Sequence, residues 1–235
     1  MSVGQGEHPP APPQFVSVPD ILAVIGAVLR IVVEAWERVL LDDALNEAHR
    51  HDEPATAGLL RHRMVLVERE RNPRLPSMKI KPEVGVTSED EETVVGSIDI
   101  EIIYSLGDEP DLRLECKRVS STKEDDDKSL AREYVAQGVL RFVGKYGRGH
   151  AWGVMVAFVV DGNAAGAARL IAEYFTQYKN EPPHVLRGWA PEARFGPHRN
   201  LFSTRHRKVG GSPIELLHVF LPFPQLKQDS SLASR

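Results

Sequence analysis

Residues 94–119 read VVGSIDIEIIYSLGDEPDLRLECKRV, two runs of alternating branched and polar side chains around one turn signal. The period of two predicts strands over 94–105 and 111–119. Gly107-Asp108-Glu109-Pro110 supplies turn chemistry between them, so an antiparallel hairpin is expected. Residues two apart on a strand share a face. Glu115 and Lys117 therefore project together, while Leu114, Cys116 and Arg118 project the other way. Asp99 stands on the neighbouring strand with Ile98 and Ile100 on its opposite face. Aspartate is disfavoured in strands, so its presence among isoleucines asks for a reason.

Before the hairpin the period is helical. Apolar residues at 21, 22, 25, 28, 29, 32, 33, 36, 39 and 40 predict an amphipathic core helix from about Asp20 to Arg50. A second helix is expected from Asp52–Pro54, with proline in its first turn, ending before Pro73. Another strand is expected over 78–86. After the hairpin come a helix from Lys128 to Tyr146, an apolar strand Ala151–Val160 buried on both faces, and a helix Ala164–Tyr178. The stretch from Pro182 to Gly211 reads as basic loop, and Ile214–Phe223 as a last strand. The organisation expected is a flexible tail at 1–17, one α/β domain at 18–225, and a flexible tail at 226–235. Within the domain, N-terminal helices over 18–72 extend a core over 73–225, in which helices flank a mixed sheet.

Composition narrows the classes. With 42% hydrophobic and 26% charged residues, 235 in all, the chain can bury a substantial core, which excludes collagenous and wholly disordered classes. The single cysteine, Cys116, excludes a disulfide framework or multi-cysteine zinc module and implies a reducing compartment, the cytoplasm. Arg30, Glu34, Glu37 and Arg38 interrupt the most apolar stretch, which argues against a membrane span. The net charge of −4 is segregated: acids gather at Glu89–Glu92 and Asp125–Asp127, and cations between His184 and Lys208.

If the hairpin pairs in a suitable register, the carboxylates of Asp99 and Glu115 meet the Lys117 ammonium. That grouping is what metal-assisted phosphodiester hydrolysis requires. Carboxylates hold a hard cation, which polarises phosphate and acidifies water, and a lysine orients the water and offsets developing charge. Glu101 shares the Asp99 face and competes with it as the metal acid. Among the basic residues, Arg141 can bind phosphate or pair with an acid. Arg199, Arg205, Arg207 and Lys208 can track a phosphate backbone, and His206 is either a phosphate contact or an exposed loop histidine. Cys116 points away from the acids and reads as a small buried residue.

At Asp99 and Glu115–Cys116–Lys117 the chain resembles the PD-(D/E)xK, or restriction-endonuclease-like, nuclease superfamily: an acid on one strand, Glu-x-Lys on the next, then a helix. Ile98 stands where the superfamily's name has proline. The resemblance covers roughly residues 50–160. It implies a restriction-endonuclease-like core, Mg²⁺ or Mn²⁺ held by Asp99, Glu115 and the Cys116 backbone carbonyl, and a water-positioning role for Lys117. It further implies a glutamate on a preceding helix that completes the metal site. Glu53, in Glu53-Pro54-Ala55-Thr56-Ala57-Gly58-Leu59, fits that place, and Glu47 competes. Gln137 and Tyr134 occupy the helix that such nucleases set beside the site. DNA is implied as substrate over RNA, in a restriction or antiviral defence setting, with a homodimer or larger complex supplying targeting and Ile21–Leu41 the expected contact. The rival expectations are a catalytically silent subunit of the same fold and a plain interaction protein.

Overall fold

The computed structural model describes residues 21–42, 45–71, 78–82, 84–87, 94–104, 112–123, 129–146, 150–177, 185–196, 200–208 and 211–225. The expected tails, the turn at Gly107–Pro110, both acidic clusters and Arg199 lie outside these residues.

The helices are α1 (Ile21–Leu40), α2 (Glu53–Arg71), α3 (Leu130–Glu133) and α4 (Ala164–Gln177). The first helix stops ten residues short of its expected end at Arg50, and Glu47–Arg50 form a separate 3₁₀ turn capped by the Asn46 side chain. The start of α2 falls as expected. The Asp52 carboxylate accepts from the Ala55 N–H at 2.9 Å, and the buried Thr56 hydroxyl lies 2.7 Å from the His49 carbonyl and 2.9 Å from that of Asp52. These bonds fix the first turn and with it Glu53. After Glu133, α3 widens into π-helical turns over Tyr134–Val139 and Phe142–Tyr146.

The strands are β1 (Lys79–Lys81), β2 (Val84–Thr87), β3 (Val94–Ile98), β4 (Ile100–Ile103), β5 (Leu112–Val119), β6 (Trp152–Val159), β7 (Val185–Pro191), β8 (Leu201–Arg207) and β9 (Pro213–Pro222). Seven of them form a mixed sheet in the order β1-β4-β5-β6-β9-β8-β7, and β2 and β3 form a separate pair. The architecture is α/β. The expected β4–β5 hairpin is antiparallel, with Ile100 opposite Leu114, while β6 runs parallel to both β5 and β9. The expected basic loop at 182–211 instead contains β7 and β8. Their alternation is irregular, and β7 is half exposed at the sheet's margin, so the period of two is faint there.

Alternate residues of β6 face opposite cores. Val154, Val156 and Phe158 join α1, α2, Leu114 and Cys116, whereas Met155, Ala157 and Val159 join α3, its π-helical turns and α4. The apolar face of α1 is spent in this packing, with Trp36 donating to the Pro222 carbonyl at 3.1 Å. The N-terminal helices are therefore one wall of the core and not an extension of it. No helix among the described residues is long and apolar enough to cross a membrane.

One break positions the site. The run 94–103 is not a continuous strand: it bends at Asp99, leaving β3 paired to β2 and β4 paired to β1. Continuing the β1–β4 register (Lys81 opposite Glu101) puts Pro82 opposite Ile100. Proline has no N–H to give the ladder, so the pairing lapses there.

Candidate active site

Where β3 peels away, β5 loses its neighbour, and its inner half presents unpaired N–H groups toward the gap. Two carboxylates take them. The Cys116 N–H donates to Asp99 Oδ2 at 2.6 Å, and the Arg118 N–H donates to Glu53 Oε2 at 2.9 Å. The N–H and C=O of one strand residue point to the same side. The Cys116 carbonyl therefore enters the gap too, where it accepts from Lys117 Nζ at 2.8 Å. The bend that costs the sheet a pairing thus gathers side chains from α2, β5 and the β3–β4 junction.

Lys117 is the hub. Its ammonium lies 2.7 Å from Glu53 Oε1 and 3.1 Å from Glu115 Oε1. Burial opposes that charge, but Glu115, Glu53 and Asp99 together raise the Lys117 pKa well above its ordinary value. The lysine is a fixed cation and donor, not a proton acceptor at neutral pH. Glu115 is only 3% exposed. Burial pushes its carboxyl up to about 7, with Asp99 adding to the rise and Lys117 opposing it. Its second oxygen, Oε2, is buried with no hydrogen-bond partner among the described residues.

These groups line a cleft of about 390 Å³, walled by Pro54, Ala57, Gly58 and Arg61 of α2, with Pro82 and Arg141 also on its lining. The Lys117 stem lies under the π-helical turn. A Cβ added to Gly138 would sit 3.3 Å from Lys117 Cγ and 2.6 Å from Met155 Cε. The Met155 end can give way, so the closer constraint at Gly138 is the Lys117 stem.

The orphaned Glu115 oxygen fits a cation. Hard oxygen donors converge on the gap: the Glu115 and Asp99 carboxylates and the Cys116 carbonyl, a set suited to Mg²⁺ or Mn²⁺. Among the described residues no three carboxylate, imidazole or thiol groups stand together as a ready metal cluster. The oxygens that could hold such an ion are those of Asp99, Glu115 and the Cys116 carbonyl, the last accepting from Lys117 Nζ at 2.8 Å. Glu53 is engaged with Lys117 and the Arg118 N–H. The Cys116 thiol takes no part; it is buried in the opposite core, where burial, followed by Asp99 and Glu115, pushes its pKa up.

Of the competing glutamates, Glu47 pairs with Arg50 at 2.9 Å and Glu101 with Arg113 at 3.2 Å, and neither lines the cleft. Arg141 does line it. Gln137 is exposed on the neighbouring π-helical turn and is not part of the lining. Tyr134 is buried, its hydroxyl 2.8 Å from His218 Nδ1.

The basic segment is elsewhere. Arg205, His206 and Arg207 lie on β8, separated from β5 by β6 and β9. His206 is no phosphate contact: it is fully buried, with Nε2 2.8 Å from Thr204 Oγ1, and burial pulls its pKa down to about 4. An imidazole held neutral out of solvent offers a phosphate neither charge nor access. Arg205 and Arg207 are exposed, but Arg205 stands opposite Glu215 in register. Lys208 donates to the His150 carbonyl at 2.8 Å. Arg187 pairs with Glu215 at 2.5 Å, and Arg194 with Glu192 and Glu215, so much of this positive charge is already answered.

The cleft residue missing from the sequence reading is Arg61. Its signal was the helical spacing 54, 57, 58, 61, which puts it on the same stripe of α2 as the small residues beyond Glu53. No known protein family, curated protein or solved structure matches the chain.

Proposed function

We propose that the chain is a metal-dependent nuclease of the PD-(D/E)xK kind, with a restriction-endonuclease-like core, hydrolysing phosphodiester bonds of DNA. The observation that carries the reading is the unpartnered, buried Glu115 Oε2 in a cleft shared with Asp99 and Lys117. Leaving a carboxylate oxygen unpaired at this depth costs stability, and a cation is the partner that would offset it. A divalent ion, when bound, polarises the phosphate and lowers the pKa of water.

The rest is done by the chain's own residues. Asp99 is held in place by the Cys116 N–H, and Glu115 by Lys117. Lys117 keeps its proton, so it donates to the attacking water or to a phosphate oxygen and offsets charge as the phosphorane-like transition state forms. Glu53 orients Lys117. Arg141, on the cleft lining, supplies a second positive charge toward the phosphate. DNA is preferred to RNA on the superfamily resemblance alone.

A second reading, a silent subunit of the same fold, draws on one feature. The Lys117 ammonium already bonds Glu53, Glu115 and the Cys116 carbonyl, so it neutralises the acids as a built-in cation. The experiment is cleavage of supercoiled plasmid, linear duplex, single-stranded DNA and RNA in Mg²⁺, Mn²⁺ or EDTA, with Lys117→Ala alongside. Metal-dependent cutting of DNA, lost in the variant, is the expected result. Binding without cutting under every condition would favour the silent subunit.

A further inference from the structure

The cleft has a wall whose shape the acid cluster does not explain. Pro54, Ala57, Gly58 and Arg61 recur at helical spacing along α2 and form one side of it. At Gly58 the wall is open, since an added Cβ would meet nothing within 4 Å among the described residues. Glycine in a helix interior costs about 1 kcal/mol relative to alanine. Among the described residues, nothing packs into the space that this glycine leaves.

One turn beyond the opening stands Arg61. Arg63 and Arg71 of the same helix are each held by a carboxylate, Asp42 and Glu34 respectively. Arg61 is half-buried against the cleft and forms no ion pair among the described residues. Eight residues of helix separate it from Glu53, about 12 Å along the axis. The cleft therefore holds Asp99 and Glu115 with the cations Lys117 and Arg141 at one end and Arg61 further along α2, with open wall between. The orphaned Glu115 oxygen independently marks this cleft as one awaiting a ligand.

We infer that the cleft accepts an extended sugar–phosphate backbone along α2. One phosphate lies at the acid cluster, and Arg61 grips a neighbouring phosphate through the gap left by Gly58. A guanidinium matches a phosphodiester's two non-bridging oxygens, and cations at both ends of the cleft suit a chain of phosphates better than a single anion. This inference rests on the nuclease reading and extends it to a residue outside the chemistry.

The test measures fluorescence anisotropy of the full chain with a labelled DNA oligonucleotide, single-stranded and duplex, over a range of KCl in EDTA. Cleavage in Mg²⁺ is measured in parallel. Arg61→Ala should weaken binding about tenfold and reduce the salt slope by about one phosphate's worth, roughly 0.9. Arg69→Ala, an exposed position further along the same helix, should bind as wild type. Gly58→Leu should lose cleavage while its melting temperature holds or rises, because leucine favours helix. If wild type cuts DNA but Arg61→Ala binds with unchanged affinity and salt slope, the inference is overturned and the nuclease reading stands. If wild type neither binds nor cuts under any condition, both fall.

Discussion

The buried Glu115 carboxyl should make this protein more stable when it is removed. Its pKa is raised from 4.5 to about 7, chiefly by burial. A folded-state value above the unfolded one means that the protonated carboxyl favours folding. That contribution is fully present below the unfolded value and is lost as pH rises through the folded one. The shift of 2.5 corresponds to about 3 kcal/mol at pH 8, at which the native state holds an ionised group against its environment. Glu115→Gln replaces that group with a neutral amide of the same shape, which can still accept from Lys117. The variant should gain about 3 kcal/mol at pH 8, roughly 6–12 °C in melting temperature for a chain of this size. The gain should shrink to near zero by pH 4.5. Urea unfolding of both proteins across that range provides the measurement, with and without Mg²⁺. The cation should stabilise wild type and not the variant. Equal stabilities at pH 8, or a gain as large at pH 4.5, would refute the reasoning.

Three other outcomes follow from the same geometry. His206 is held neutral, its pKa lowered from 6.5 to about 4 by burial, so it is indifferent above pH 6.5 and costs the native state up to about 3 kcal/mol as pH falls toward 4. This opposes the Glu115 trend in wild type, so Glu115→Gln should lose stability on acidification more steeply than wild type, and His206→Gln less steeply, by urea titration at pH 7.5 and 4.5. Gly153→Ala would place a Cβ 2.3 Å from Phe142 Cε1, a ring with no room to retreat, and should cost about 1–3 kcal/mol in the same assay. Gly138→Ala meets only the flexible end of Met155 and then the Lys117 stem. It should reduce plasmid cleavage several-fold with little change in melting temperature, and equal activity would mean that Lys117 tolerates displacement.

The hairpin, the both-faces-buried strand at β6 and the start of α2 were legible because each rests on local signals: period two, a continuous apolar run, and proline after an aspartate cap. The convergence of Asp99, Glu115 and Lys117 was legible as far as register allowed, since strand alternation fixes which side chains share a face. What alternation cannot show is the bend at Asp99. It arises from Pro82, a residue far away in sequence that becomes the partner of Ile100 only once β1 has paired. His206 was misread for a similar reason. Its neighbours Arg205 and Arg207 suggest surface, yet on a strand they point away from it, and burial is decided by Phe175 and Thr204 on its own side. Arg61 carries no motif. Only the fold shows that its stripe of α2 faces the acids.

The carboxylates that answer the Cys116 and Arg118 N–H groups also guard an interior sheet edge. A bare strand edge recruits other strands, and inward-pointing charge is one of the ways in which proteins prevent it. Asp99 and Glu53 occupy the positions that an intruding chain's carbonyls would take. Alanine at either position would do more than remove a cleft carboxylate: it would uncover donors able to template intermolecular pairing, so such a protein would be prone to self-association. Asparagine at position 99 keeps an acceptor there and with it the guard.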